Sequence, residues 1–199
     1  MGESMSKRNP MARIIRNPIF RTTLLPDKKK KYTRKKVSVI LRKRVSEMFE
    51  AGLICMALNV YFEARDQPLV GQIAVAETVL NRVHSTLFPD TVCEVVYQGE
   101  YYSWNPDIPV RNRCQFSWYC DGLSDKPKDE TAWHKSLQVA HGVLNGYTDS
   151  VVEDALWYHA HYVVPDWSRS KRMIVRINDH IFYGSKNVES VYLDHSEGE

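Results

Sequence analysis

The sequence predicts an α+β fold, on three observations. Apolar residues recur at three- and four-residue spacing from Ser46 to the corner before Pro68, and again from Val70 to about Ser85, as in amphipathic helices. A third helical stretch spans residues 130–145. Two segments rich in β-branched and aromatic residues, 155–164 and 173–183, then read as strands, with a turn at Asn178-Asp179. Helices followed by short strands favour α+β over an alternating βαβ arrangement.

Charge divides the chain into an arm and a domain. Residues 1–44 carry fifteen Lys and Arg against two acidic residues, a net charge of +13, whereas residues 45–199 carry twelve basic and twenty-two acidic residues, a net charge of −10. Dense positive charge with few large apolar residues predicts that the arm is largely disordered. We interpret it as a polyanion-binding segment, for nucleic acid, anionic lipid or an acidic envelope polymer, although a solubilising extension has the same composition.

Targeting signals and cysteines bear on where the protein acts. The basic start is not followed by the apolar region of a secretory signal peptide, and no run approaches the ~18 apolar residues of a membrane helix. We therefore expect synthesis in the cytoplasm and no transmembrane segment. The spacing of Cys55, Cys93, Cys114 and Cys120 is not a paired zinc motif. Buried free thiols are favoured, with a bridge between Cys114 and Cys120, or one involving Cys93, left open.

Glu63 is the leading candidate for a catalytic acid. It falls in the last turn of the first helix, because Pro68 disfavours helix for the residue before it. The carbonyl end of the helix and the flanking rings of Tyr61 and Phe62 disfavour a negative charge, which raises the pKa of the carboxyl. A carboxyl that stays protonated nearer neutrality can act as a general acid.

Glu77 is the second carboxylate candidate. It lies at the border of the second helix, one turn before Asn81. A structural role, in which Asn81 or Arg82 satisfies the carboxylate, is the better interpretation of this position.

Five blocks stand in one order along the chain. They are YFEARDQP…GQIAVAETVLNRV from Tyr61, FPDTVCEVVYQ from Phe88, CQFSWYCDG from Cys114, ALWYHAHYVVPDW from Ala155 and RINDHIFYG from Arg176. Together they resemble the SleB/CwlJ-type cell wall hydrolases, the spore-cortex-lytic enzyme family, over roughly residues 45–184. Several motifs in order are far more specific than one. Where that family usually reads EARGEP, this chain has Asp66 for the glycine and Gln67 for the second glutamate. Of the two glutamates in the family's motif, this chain therefore retains only Glu63.

The resemblance implies a lysozyme-like fold and cleavage of peptidoglycan by a catalytic Glu63. On composition alone, the aromatic residues between positions 97 and 119 favour core packing, and the resemblance moves Gln115 and Ser117 towards the cleft. The expected substrate-binding residues are Tyr61, Gln72, Asn81, Gln115, Phe116, Ser117, Tyr158, His159, His161 and Trp167.

A zinc site is the rival chemistry. His159 and His161, at i, i+2 spacing, fall on one strand face, and His180 or His141 could supply a third ligand. No HExxH motif accompanies them, and histidines among aromatic residues more often pack or line a cleft. We therefore expect no metal and no cofactor.

A single convincing carboxylate favours one mechanism of glycosidic cleavage. Most glycosidases use two carboxylates. One acid suffices when the 6-hydroxyl of the sugar attacks its own anomeric carbon, as in lytic transglycosylases. The alternatives are a water-using muramidase or glucosaminidase, and a non-catalytic cell-wall or nucleic-acid-binding protein. We expect a monomer that acts on the cell wall. A phage lysis enzyme or a virion component fits the lack of a signal peptide, and a bacterial cytosolic origin is left open.

Overall fold

The computed structural model describes residues 34–148 and 151–186, and the chain separates into two units, Met1–Met48 and Phe49–Glu199. Helices and strands are mixed, as the sequence predicts, and the α+β class is confirmed; the lysozyme-like part of that expectation stays a prediction. The helices are α1 (Arg34–Ala64), α2 (Leu69–His84), α3 (Val92–Val96) and α4 (Glu130–Leu144). The strands are β1 (Gly99–Tyr102), β2 (Asn105–Cys114), β3 (Trp157–Ala160), β4 (Arg172–Ile177) and β5 (His180–Gly184), with 3-10 turns at Ser117–Cys120 and Asp166–Ser170.

Helix α1 begins earlier than the sequence predicts. The expected start at Ser46, and the expected disorder up to residue 44, are wrong for residues 34–44, which are helical. Lys and Arg are good helix formers and no Gly or Pro interrupts this stretch. Lys43 pairs with Glu47 one turn later, at 3.7 Å. Residues 1–33, the remainder of the predicted arm, lie outside the described residues.

The same helix contradicts the expectation that no segment approaches the length and apolarity of a membrane helix. Arg42–Ala64 is long enough and apolar enough to cross a membrane by length and composition. A core helix of a globular domain passes the same test, and the second half of α1 is buried in that way. Cys55, Met56, Ala57, Val60 and Ala64 all lie in the core.

A tight corner joins α1 to α2. The helix ends at Ala64 as predicted, and the amide of Gln67 donates to the Ala64 carbonyl at 3.0 Å. The Gln72 side chain then donates to the Gln67 carbonyl at 2.9 Å. Because Gln72 is buried on α2, this bond fixes the direction in which the second helix leaves the corner.

The sheet packs on the helical core. It has the antiparallel order β3-β5-β4, and Asn178, with φ +48°, forms the predicted turn between β4 and β5. Asn is among the residues that tolerate this left-handed conformation. The shared core contains Ala64 of α1, Ala74 and Val75 of α2, Val152, Ala155 and Phe182 of β5.

Helix α4 has the ends that the sequence predicts. The side chain of Asp129 caps its start by accepting from the Ala132 amide at 2.9 Å. The helix finishes at Leu144, just before Gly146, whose φ of +88° suits a residue without a Cβ.

Residues 87–120 contain a short helix and a hairpin that the sequence pattern does not predict. Helix α3 and the antiparallel β1–β2 hairpin both form there. Two disulfides, Cys55–Cys93 and Cys114–Cys120, connect this region to α1 and close its last loop. The favoured expectation of free thiols is therefore wrong, and both alternatives that were left open are met.

Candidate active site

Glu63 lies in the last turn of α1 and is half-buried. The hydroxyl of Tyr158 donates to its Oε2 atom at 3.2 Å. Burial raises the pKa of the Glu63 carboxyl, while the Tyr158 hydrogen bond and the positive charge of Arg82 lower it and only partly offset the rise. The elevated pKa has the direction that the sequence predicts, but its largest cause is burial rather than the helix end.

Tyr158 is the residue of the sheet that meets this acid. It stands on β3, with its ring against His180 at 5.2 Å and Phe182 at 5.4 Å between centroids. Burial and the nearby Glu63 raise the pKa of the phenol well above its usual value. The hydroxyl therefore stays protonated and acts as a hydrogen-bond donor to the Glu63 carboxylate.

Arg82 supplies a buried positive charge. It is 2% exposed, and its Nε atom donates to the Leu156 carbonyl at 2.7 Å. The guanidinium lies between two rings, with Cζ 4.9 Å from the centroid of Phe88 and 5.1 Å from that of Phe116. Burial lowers the pKa of Arg82 to about 10, so the side chain remains charged at neutral pH.

Asn59 connects α1 to the segment opposite. It lies one turn before Glu63 and is fully buried. Its Oδ1 atom accepts from the indole N–H of Trp118 at 3.1 Å, and Trp118 stacks on Phe62 with centroids 4.9 Å apart. The 3-10 turn Ser117–Cys120 is thereby held against the end of α1, beside Glu63.

Arg82, Asn59 and Trp118 are absent from the site that the sequence predicts. Arg82 follows Val79 by three positions on the buried side of α2, and Asn59 follows Met56 in the same way on α1. A polar residue on an apolar helical stripe is the signal that would have singled out both. Nothing comparable in the sequence distinguishes Trp118 from its aromatic neighbours.

Four of the predicted substrate-binding residues belong to the two segments, β3 and residues 115–117, that carry Tyr158 and Phe116. Tyr158 contacts Glu63 directly, and the buried ring of Phe116 lies 6.4 Å from that of Tyr158. Gln115 and Ser117 flank Phe116 and are exposed, which leaves their side chains available to a ligand. Contacts therefore connect Tyr158 and Phe116 to Glu63, while Gln115 and Ser117 adjoin Phe116 in the chain.

Three others have bonds that hold the fold. The Tyr61 hydroxyl accepts from the amides of Lys128 and Asp129, both at 3.0 Å, just before α4. Gln72 braces the corner, as described above. The Asn81 amide donates to the carbonyls of Glu153 at 2.8 Å and Ala155 at 3.1 Å.

The histidine pair does not converge. His159 is buried and stacks on Tyr183, with Nε2 3.0 Å from the Tyr183 hydroxyl, and its ring meets the edge of Trp167 at 5.5 Å. His161 lies beyond the end of β3, exposed, with Nδ1 3.5 Å from Asp179. In the part of the chain that the structure describes, no three His, Cys, Asp or Glu side chains are placed to hold a metal ion.

The other carboxylates act elsewhere. Glu77 is buried and accepts from Thr148, whereas Asn81 and Arg82, its expected partners, bond to backbone carbonyls. The expectation that one of them satisfies Glu77 is therefore wrong. Asp66 is exposed at the corner. The charges and polar groups that act on Glu63 belong to Tyr158 and Arg82.

Gln67 connects the α1–α2 corner to the sheet. It occupies the position of the second glutamate in the EARGEP motif of the family that the sequence resembles. Its amide nitrogen donates to Asp179 at 3.1 Å and to Asp66 at 3.3 Å, and its oxygen accepts from Asn178 at 2.9 Å. A glutamate could not donate to either carboxylate, so the amide suits these neighbours.

Fold and site together define a class of protein. A half-buried acid with an elevated pKa, a neutral phenol bonded to it and a buried cation nearby are a candidate acid–base site on an α+β scaffold. Residues 66–183, more than half of the chain, match the Cell Wall Hydrolase family. The chain belongs to this family, a family of enzymes that act on the cell wall. Glu63 lies three residues before the matched range.

Known relatives carry one description. The spore cortex-lytic enzyme of Halalkalibacterium halodurans is 36% identical over 132 residues, and that of Bacillus subtilis is 33% identical over 128 residues. Each alignment covers 64% of this chain, but only 33% and 35% of the relatives' lengths. The chain thus spans about a third of each of these relatives.

Two solved structures are also similar to this chain. The catalytic domain of the germination-specific lytic transglycosylase SleB from Bacillus anthracis is 31% identical, with a TM-score of 0.48, covering 66% of this chain and 93% of that one. The catalytic domain of the Bacillus cereus SleB protein is 30% identical, with a TM-score of 0.47 and coverage of 67% and 90%.

Proposed function

We propose that the chain is a lytic transglycosylase that cleaves the MurNAc–GlcNAc bond of peptidoglycan, with Glu63 as its single acid–base group. The observation that carries this proposal is the environment of Glu63. Burial raises the pKa of its carboxyl, and within the described part of the chain the groups that act on it are Tyr158 and Arg82 rather than another carboxylate. The similarity to the catalytic domain of SleB from B. anthracis, a germination-specific lytic transglycosylase, supports the same reaction.

The reaction uses the Glu63 carboxyl twice, first as an acid and then as a base. Protonated Glu63 donates its proton to the glycosidic oxygen, the bond to the anomeric carbon breaks, and positive charge develops on the sugar ring. The 6-hydroxyl of that sugar then attacks the anomeric carbon and returns its proton to Glu63. Between these steps the Glu63 carboxylate accepts the hydrogen bond of Tyr158 and faces the charge of Arg82, which stabilise it.

A water-using muramidase or glucosaminidase is the second candidate. Such an enzyme requires a group that activates or replaces water on the far side of the sugar, within ~5 to 10 Å of the acid. Glu77 and Asp66 are the residues to test for that role. Glu77 already bonds to Thr148, and Asp66 lies at the corner against Gln67, so the intramolecular mechanism is simpler.

The products separate these two mechanisms. Purified peptidoglycan digested by the enzyme should yield muropeptides ending in 1,6-anhydro-N-acetylmuramic acid, one water lighter than ordinary reducing ends. Mass spectrometry of a digest made in oxygen-18 water reads this directly. Reducing ends that all carry the label would reject the transglycosylase mechanism and leave cell-wall cleavage standing.

Replacing the acid tests the assignment of Glu63. Glu63→Gln should lower the rate of wall clearing by roughly a hundredfold or more, because the amide cannot donate the proton. The matched variant Glu77→Gln should retain most activity. Near-normal clearing by Glu63→Gln would transfer the search to Glu77, and binding to walls without any cleavage by the unmodified chain would favour a non-catalytic cell-wall or nucleic-acid-binding protein.

The same variant has a stability signature. The pKa of Glu63 is elevated in the folded chain, so its contribution to stability is present below the unfolded pKa and lost as pH rises through the folded pKa. Gln has no such loss. Glu63→Gln should therefore melt at or above the temperature of the unmodified chain at neutral pH, and this advantage should shrink in acid.

We also propose that residues 1–44 bind a polyanion and that the domain acts as a monomer outside the cytoplasm, in phage lysis or as a virion component. The charge of +13 supports the polyanion role, and the two disulfides, which persist in oxidising compartments, support action outside the cytoplasm. Removing residues 1–33 should weaken binding to anionic walls or nucleic acid and flatten its salt dependence. Unchanged binding at low salt would reject the polyanion role.

A further inference from the structure

The tip of the β1–β2 hairpin carries two aromatic side chains that the Glu63 site does not use. Tyr102 ends β1 and Trp104 lies in the turn before β2. Their ring centroids are 5.3 Å apart, with 34° between the ring planes. Trp104 is 70% exposed and Tyr102 is 37% exposed. Because two neighbouring rings left in solvent form an apolar patch, they indicate a binding surface rather than a part of the core.

The base of the hairpin is fixed to the wall of the Glu63 site. The amide of Gln115 donates to the Gln98 carbonyl at 2.8 Å, and Cys114 forms the disulfide with Cys120. Gly99 allows this close approach, since a Cβ there would lie 3.0 Å from the Cys114 sulfur and 3.1 Å from the Arg113 carbonyl. The hairpin therefore begins at the segment that carries Phe116 and Trp118.

Further contacts set the direction of the hairpin. The hydroxyl of Tyr101 donates to the Tyr97 carbonyl at 2.6 Å and meets the Tyr119 hydroxyl at 3.5 Å. Asn112, with φ +58°, lies where the pairing of the two strands shifts register. From Gly99 to Trp104 the chain advances by at most ~17 Å, at about 3.3 Å per residue. That length corresponds to a few sugar residues of a glycan strand.

The charge of the hairpin selects among ligands. Residues 99–114 contain two acidic residues, Glu100 and Asp107, and two basic ones, Arg111 and Arg113, so their net charge is zero. Glu100 pairs with Arg113 at 3.5 Å across the strands. A neutral surface gives no electrostatic attraction to anionic lipid or nucleic acid. Flat aromatic faces beside polar groups suit instead a neutral chain with hydroxyl groups and apolar C–H faces.

We propose that Tyr102 and Trp104 form a remote glycan subsite, where the rings stack on an N-acetylhexosamine of the peptidoglycan strand that is cleaved at Glu63. That the ligand is a glycan strand of peptidoglycan rests on the proposed function. Its role is to hold long strands, so it contributes to the binding of polymer and not to the chemical step.

The experiment compares long and short substrates. Binding of purified sacculi is measured with Glu63→Gln protein, to prevent digestion, with and without Trp104→Ala, Trp104→Phe and the control Tyr147→Ala, which truncates another exposed aromatic residue. Trp104→Ala should weaken binding by about tenfold, as expected for loss of an aromatic anchor. Trp104→Phe should recover part of that loss, and Tyr147→Ala should bind like its parent.

Digestion then locates the effect. In the otherwise unmodified enzyme, Trp104→Ala should lower the cleavage of sacculi more than that of a tetrasaccharide muropeptide, mainly through KM. Equal losses on both substrates would place Trp104 at the Glu63 site and overturn the proposal. Unchanged sacculus binding, an equal loss in Tyr147→Ala, or a Trp104-dependent affinity for anionic vesicles in place of sacculi would also overturn it. If the unmodified protein binds sacculi through Trp104 but does not cleave them, the proposed function is refuted, while the glycan subsite still stands.

Discussion

The two sides of the Glu63 site are held together by different forces. The helical side consists of the α1–α2 corner and carries Asn59, Glu63 and Arg82 on regular helices. The loop side consists of residues 114–120, which carry Phe116 and Trp118 and are closed by the Cys114–Cys120 disulfide. Hydrogen bonds between near neighbours in sequence build the first side, whereas a covalent bridge and contacts across the fold build the second. The acid is thus placed by local structure, and its surroundings are placed by tertiary structure.

Replacing Arg82, which lies on the helical side and contacts Phe116 of the loop side, should have the largest effect on activity. Arg82→Met removes the cation that lies on Phe116 and stabilises the Glu63 carboxylate, so activity should fall by roughly a hundredfold, as for loss of a preorganised electrostatic group. The Arg82 charge lowers the pKa of Glu63. Without it that pKa rises, and the limb of the rate profile that falls at high pH should move to higher pH.

Two variants control this prediction. Arg82→Lys keeps the charge and should keep the pH profile close to that of the parent, although its rate falls. Arg169→Met removes an exposed arginine of the second 3-10 turn and should change neither rate nor profile. A pH profile that is identical in Arg82→Met and the parent would show that Arg82 acts on the fold alone.

The ends of the helices and the turn of the sheet are the features that the sequence predicts well. Pro68 ends the first helix, Asp129 caps α4 and Asn178 forms the turn before β5, and each of these signals acts over only a few residues. Its position on the apolar stripe of α2 marks Arg82 as unusual, but its role could not be predicted because its partners, the carbonyl of Leu156 and the ring of Phe116, are distant in sequence.

On the loop side, Phe116 was an expected substrate-binding residue, whereas the role of Trp118 escaped prediction because its partner Asn59 is distant in sequence. Cysteine spacing alone left the pairing of Cys55 with Cys93 open, because their approach requires α1 and α3 to pack first. The roles of Tyr61 and Asn81 were mistaken in a related way. Both are polar residues near the acid in sequence, but their bonds go to backbone groups at the start of α4 and before β3.

The two disulfides offer a second way to separate the sides. In the chain-entropy account, bridging 38 residues with Cys55–Cys93 contributes about 4 kcal/mol and bridging 6 residues with Cys114–Cys120 about 2 kcal/mol. Replacing both cysteines of the long bridge with serine should therefore lower the melting temperature more. Replacing those of the short bridge should lower activity more, by about tenfold, because Phe116 and Trp118 lose their placement around Arg82 and Glu63.

The measurement is a melting curve and a reaction rate for each of the two disulfide variants. The rates are measured at a temperature below both melting temperatures. Opposite orders of stability and activity are the expected outcome. If the variant that melts lower is also the less active one, the loop side has no special part in the site, and both bridges act only through the stability of the domain.

The smallest effect should come from one hydroxyl group. Tyr158→Phe keeps the ring in its contacts with His180 and Phe182 but removes the hydrogen bond to Glu63. That bond lowers the pKa of Glu63, so its loss should raise the pKa and extend activity to higher pH, because the acid must be protonated to start the reaction. The maximal rate should fall only about three- to tenfold, as one hydrogen bond to the carboxylate is lost. Tyr162→Phe removes the hydroxyl of a tyrosine that is 78% exposed and should leave rate and profile unchanged. A shift of the Tyr158→Phe profile to lower pH would mean that the hydroxyl does not stabilise the carboxylate, and that Arg82 alone offsets the burial of Glu63.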